Sequence, residues 1–233
     1  DCERLIGLYH DPDDFAMSRI VMAPCQPINC YRDTFEQTVH MARAHGVRMH
    51  THLGEGENDI MLARWGKRTL DWCADIGFLG QDVWLAHGWE LTPDEYAVLA
   101  REQTGVSHCP GPAILGGFPI LPLRQMADAD VCVSLGCDGS ATNDSSSLLD
   151  SMRTAWMMQA WHSKQRGGCI SPYDMLKIAT VNGAKTLGRP DLGSLEPNKG
   201  ADLFMVDANA LELTGTLHDP RNLLARVGVT GTV

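Results

Sequence analysis

Two kinds of stretch alternate along this chain. Short apolar runs, at Arg19–Ala23, 47–53, 83–87, 105–108 and 131–138, have the length and composition of buried strands. Between them the pattern predicts helices over 33–45, near 67–76, from Thr92 to about 102, near 120–128, from about Ser146 to Gln165, and from Ser171 to about Leu187. Phe35, Val39 and Ala42 line one face of the first helix, Asp33 or Thr34 can cap it, and Gly46 ends it. Thr92-Pro93-Asp94-Glu95 is a capping box with proline at the first helical position, and Ser171-Pro172 repeats the cap-then-proline signal. Leu149, Met152, Trp156 and Ala160 share one side of the longest helix and read as core. A last strand is expected at 201–206, outside the alternation, and 227–233 resembles an unfinished strand.

Strands that alternate with helices pair in parallel through right-handed crossovers. Cys25, His52, His87, His108 and Asp138 are the polar residues at the strand ends. They follow one another at intervals of roughly one βα unit, so all five would emerge on one rim. In a (β/α)8 barrel the carboxyl-end rim carries the chemistry. An open doubly wound sheet is the structural rival, but no glycine-rich phosphate loop follows the first strand. The expected fold is therefore an incomplete (β/α)8 barrel, since five strands cannot close one. The chain opens on Asp1 without a methionine and reads as a piece of a longer protein.

Composition narrows the classes. Hydrophobic residues make up 44% and charged residues 21% of 233, ordinary values for a globular α/β domain. A net charge of -10 with no Lys/Arg run argues against nucleic acid or an anionic membrane as partner, and no apolar run is long enough to span a bilayer. The eight cysteines (2, 25, 30, 73, 109, 132, 137 and 169) are scattered without a CxxC pair and read as reduced thiols of a cytoplasmic protein.

The candidate chemistry gathers where the second strand gives way to an acidic, glycine-punctuated loop. His50 and His52, two residues apart in a strand, face the same way, and Glu55 can curl back over the strand end. His52, His87 and Asp138 offer the nitrogen and oxygen donors that suit zinc or a similar divalent ion. Alone, each is an ordinary strand-end residue. Several on one rim, closed by Gly136-Cys137-Asp138-Gly139, define a candidate metal site.

The runs His52-Leu53-Gly54-Glu55, Trp84-Leu85-Ala86-His87-Gly88, Ser107-His108-Cys109-Pro110 and Gly136-Cys137-Asp138-Gly139-Ser140-Ala141-Thr142-Asn143-Asp144 resemble the amidohydrolase superfamily. The nearest branch holds 8-oxoguanine deaminase, isoxanthopterin deaminase and the triazine hydrolases. Ala23-Pro24-Cys25, Gly183-Ala184-Lys185-Thr186-Leu187-Gly188 and Gly200-Ala201-Asp202-Leu203 resemble it too. The resemblance implies that residues 1–190 are about strands four to eight of the barrel, and that 191–233 return to a small β domain. It makes His52 and Asp138 ligands of one divalent metal, zinc first and iron as the alternative. Glu55 becomes the proton shuttle, His87 the group that polarises substrate or positions the water, and Asp138 the acceptor of the water's proton. His50, His108 and Asn143 are expected to line the substrate pocket. The family's remaining ligands form a His-x-His pair on the first barrel strand, expected upstream of Asp1; His50-Thr51-His52 imitates it on another strand.

The implied activity is hydrolytic deamination of an amino-substituted heterocycle, an 8-oxoguanine-like purine or a pterin, by a cytoplasmic homo-oligomer. The alternatives are a triazine hydrolase releasing chloride or an alkylamine, and a non-catalytic binding protein on a barrel frame. Two loops depart from the branch. Residues 110–117 lack the Ser-Asn pair usual after Cys-Pro, and Gly54-Glu55-Gly56-Glu57 stands where Ala-Glu-Thr is common.

Overall fold

Five parallel strands form one sheet in the order β1 (Val21–Met22), β2 (Arg48–Leu53), β3 (Val83–His87), β4 (Gly105–His108) and β5 (Val133–Leu135). The order in space is the order in sequence. A doubly wound sheet would reverse it at a switch point, whereas a barrel advances one strand per crossover, so this sheet is an arc of a (β/α)8 barrel. Its register pairs Leu53 with His87 and His108 with Leu135, which brings the strand ends to one rim. The computed structural model describes residues 1–164, 170–223 and 226.

The helices are α1 (Cys2–Tyr9), α2 (Arg32–Ala44), α3 (Asn58–Trp65), α4 (Thr69–Asp75), α5 (Pro93–Glu102), α6 (Pro110–Gly116), α7 (Leu123–Asp128), α8 (Ser140–Asn143), α9 (Leu148–Ser163), α10 (Pro172–Ala179), α11 (Val181–Thr186) and α12 (Pro220–Leu223). The capping box at α5 forms as read: Glu95 N–H donates to Thr92 Oγ1 and Thr92 N–H to Glu95 Oε2, at 3.4 and 2.8 Å. Five helices, α1, α3, α6, α8 and α12, were not expected. In α6 the Pro110-Gly111-Pro112 run looks like a break, yet its prolines occupy the first turn, where no backbone N–H is needed.

Other expectations need correction. The helix expected over 171–187 is two helices that meet at Thr180, with φ -113° and ψ -80°. Thr180 Oγ1 donates to the Leu176 carbonyl at 2.7 Å, and Asn182 Nδ2 donates to the Val133 carbonyl at 2.9 Å. The first bond turns the chain, and the second draws α11 onto β5. Residues 201–206 form no strand: no described segment pairs with them, and Leu203, Phe204 and Met205 stand exposed. The strand expected at 227–233 lies outside the described residues. The N-cap of α2 is Tyr31, ahead of Asp33 and Thr34, and its side chain makes no capping bond.

The core lies between the sheet and its helices. In β2 the alternation is strict: Met49, Thr51 and Leu53 are buried, while Arg48, His50 and His52 on the other face are partly open. Phe35 of α2 is fully enclosed and meets Trp72 and Phe78 edge-on, at ring-centroid distances of 5.2 and 5.0 Å. Phe35→Ala should destabilise the fold by about 3–5 kcal/mol through lost burial and the cavity left behind. A denaturant melt measures this, and a loss below about 1 kcal/mol would mean that the two rings collapse into the space.

Candidate active site

The Cys25 carbonyl organises the first half of the site. It accepts the His52 backbone N–H at 3.2 Å and the Thr51 hydroxyl at 3.1 Å, and His52 Nδ1 lies 2.8 Å away. A carbonyl can only accept, so Nδ1 carries the proton, and in the neutral ring Nε2 is the nitrogen that bears the lone pair. This is the tautomer that a metal-binding imidazole needs. Sequence reasoning noted Cys25 as a polar strand end, but its backbone oxygen does the work.

After β2 the chain turns sharply. Gly54 and Gly56 have φ of 73° and 95°, within the left-handed region that glycine enters freely. A Cβ at Gly54 would fall 3.1 Å from the Gly88 backbone, so the exits of β2 and β3 can touch only through glycine. The Leu53 carbonyl accepts Gly88 N–H at 2.8 Å, and the Gly54 carbonyl accepts Glu90 N–H at 3.1 Å. Inside the turn, the buried Glu57 carboxylate accepts the N–H groups of Gly54 and Glu55, each at 2.6 Å.

Glu55 Oε1 then stands 3.7 Å from His87 Nε2, and Gln26 Nε2 donates to Glu55 Oε2 at 3.4 Å. Partial burial raises the proton affinity of Glu55, and the charges of Asp138 and Glu57 add to that against the opposing pull of His52. The His87 ring is buried, stacked on His52 at 5.3 Å and tilted against Trp89 at 4.4 Å. Burial first, and the His52 imidazole second, depress its pKa to about 4, while Asp138 opposes the shift. His87 is therefore neutral at pH 7. Its Nδ1 has no hydrogen-bond partner among the described residues. Asp138 is exposed at the end of β5 and accepts Gly139 N–H at 2.7 Å. Its charge reaches both Glu55 and His87, so it lies near them.

The three expected pocket residues are placed differently. His50 sits one layer below His52, stacked on Trp84 at 5.0 Å and 5.8 Å from His52. His108 has no exposed surface, neither ring nitrogen has a partner among the described residues, and burial lowers its pKa to about 3. A substrate contact fits it least. The Asn143 amide is spent on loop packing: Nδ2 donates to the Ser145 carbonyl at 3.1 Å, and Oδ1 lies against Gly111, where any Cβ would collide with it.

Among the described residues, no three His, Cys, Asp or Glu side chains gather closely enough to hold a metal ion. His52, by its tautomer, and Asp138, by its position, fit a divalent ion in donor type. Two donors leave the rest of a tetrahedral set to be supplied from elsewhere.

A model of the amidohydrolase family matches residues 1–233, and the chain belongs to that family. It is 50% identical to hydroxydechloroatrazine ethylaminohydrolase from Pseudomonas sp. (strain ADP), over all of this chain and 49% of that protein. It is 37% identical to 8-oxoguanine deaminase from Pseudomonas aeruginosa, over 96% of this chain and 50% of that one. The crystal structure of atrazine chlorohydrolase from Arthrobacter aurescens TC1 complexed with zinc superposes with a TM-score of 0.91 at 31% identity, covering 96% of this chain and 50% of that one. The chain thus spans about half the length of the relatives that it matches.

Proposed function

We propose that the protein containing this chain is a metal-dependent aminohydrolase that releases an amine from a ring carbon of a nitrogen heterocycle. The observation that carries this is Glu55: a carboxyl of raised proton affinity that stands 3.7 Å from the buried His87 ring and feels the charge of His52. A scaffold has no use for that set. His52 and Asp138 are the residues of this chain that would hold the metal, with zinc favoured because the superposable chlorohydrolase is complexed with zinc. Such an ion supplies hydroxide from water at neutral pH.

The remaining chemistry belongs to the chain. The Asp138 carboxylate accepts the proton of the attacking water. Glu55 delivers a proton to the ring nitrogen next to the attacked carbon, so that the ring can take up electrons. The neutral His87 imidazole, through Nε2, stabilises the charge that develops. Proton delivery also serves the leaving group, since an amine departs only when protonated.

On the ring itself, the 50% identity to an ethylaminohydrolase favours an N-alkylamino hydroxytriazine. An oxopurine or pterin is the second reading, supported by identities of 37% and 34% to 8-oxoguanine and isoxanthopterin deaminases. Residues 1–190 would be the catalytic barrel portion and 191–233 the return to a small β domain of a cytoplasmic homo-oligomer. Among the described residues, no helix is long and apolar enough to cross a membrane.

The test is product analysis on the intact protein with an ethylamino-hydroxytriazine, 8-oxoguanine, isoxanthopterin and a chlorotriazine in ¹⁸O-labelled water. Ethylamine or ammonia should appear with one labelled oxygen in the ring product. Chloride release without amine from any of the four would overturn the amine-releasing assignment.

A further inference from the structure

We infer that Glu57 is the positioning residue of the proton carrier: its buried carboxylate clamps the Gly54–Glu55 backbone and so aims the Glu55 side chain at His87. This rests on the assignment of Glu55 as the group that moves the proton.

The argument starts from how little holds the Glu55 side chain. It is about one-third exposed, and its two contacts, 3.7 Å to His87 and 3.4 Å to Gln26, are long. Contacts of that length do not immobilise a flexible carboxylate against water. Its direction is therefore set by the backbone beneath it. That backbone carries positive φ at both flanking glycines, and an unclamped glycine turn has many conformations to choose from.

Glu57 removes that freedom. It is 1% exposed, yet among the described residues no Lys, Arg or His forms an ion pair with it. A carboxylate taken from water without a cation is costly unless donors replace the lost hydration. Here the donors are the consecutive N–H groups of Gly54 and Glu55, one to each oxygen, both at 2.6 Å. A left-handed residue at Gly54 turns these N–H groups onto one side, the concave arrangement that binds anions. Such bonds are about twice as strong as neutral ones. The loop thus folds around its own anion. Its other ties, from Gly88 to Leu53 and from Glu90 to Gly54, fix the start of the turn and leave Glu55 to Glu57. Residue 57 was read from the sequence only as part of an acidic loop, because nothing in its spacing shows that the side chain points back along the chain.

In the intact protein, Glu57→Gln keeps the size but sets an NH2 group against one of the two N–H donors. The expected result is a kcat lowered about 10- to 100-fold, the usual effect of misplacing a reacting group by about 1 Å, with KM and metal content within about twofold of wild type. Amide hydrogen exchange at Gly54 and Glu55 should accelerate. A merely structural Glu57 would instead lower the melting temperature and leave kcat of the folded enzyme unchanged, which would overturn the inference. Should Glu57→Gln fail to fold, Glu57→Asp keeps the charge one methylene short. Faster exchange at residues 54 and 55 together with wild-type kcat would overturn the inference there too. Glu55→Gln, measured alongside, separates the two assignments. Full activity in Glu55→Gln sinks the proton-carrier assignment itself, whereas an inactive Glu55→Gln beside a fully active Glu57→Gln sinks only the positioning role.

Discussion

Glu55→Gln should lower amine release by something like 10²- to 10⁴-fold, the usual scale for a lost general acid–base group, while metal content stays at the wild-type level. The substitution keeps the size of the side chain and its hydrogen-bonding reach to Gln26 and His87. What it removes is the ability to carry a proton to the ring nitrogen. Discrimination between leaving groups sharpens the test. Chloride departs without protonation and an amine does not, so a chlorotriazine, if turned over at all, should suffer less than an aminotriazine. Steady-state rates on both rings, with metal measured by atomic absorption, check the result. Wild-type amine release from Glu55→Gln would show that Glu55 is not the proton carrier.

His52→Ala should strip the metal and the activity together, weakening metal retention by on the order of 100-fold or more. Changes one shell further out already cost 10- to 100-fold in affinity. The Cys25 carbonyl holds the ring in the tautomer that leaves Nε2 free, so the lost side chain is a donor that was already oriented. Chelator competition on the intact protein measures the change. A variant that keeps its metal through dialysis yet turns over nothing would show that His52 orients substrate and is no ligand.

The barrel arc was legible because each strand run ends on a polar residue about one βα unit from the next, and the register sets those ends level. His52, Glu55, His87 and Asp138 were readable as candidates for the same reason, as strand-end or loop residues whose types suit proton and metal chemistry. What escaped was anything set by one side chain folding onto a nearby backbone. Glu57 closing on Gly54 and Glu55, and Thr180 bending a helix through the Leu176 carbonyl, leave no periodic trace. The prolines of α6 hide their element in the opposite sense: they look like turn signals and serve as a helix start. Residues 201–206 have the composition of a strand, but composition cannot supply the neighbouring strand that a ladder requires.

His87 and Asp138 both hold left-handed backbone conformations, at φ 73° and 63°. For residues with a Cβ this region costs about 1–2 kcal/mol each, although aspartate and histidine enter it more readily than most residues. Glycine would sit there without strain. Stability and chemistry therefore favour different amino acids at the same two positions. A redesign of this chain guided only by backbone comfort would write glycine at 87 and 138, and would ease the backbone by erasing two side chains of the proposed reactive rim.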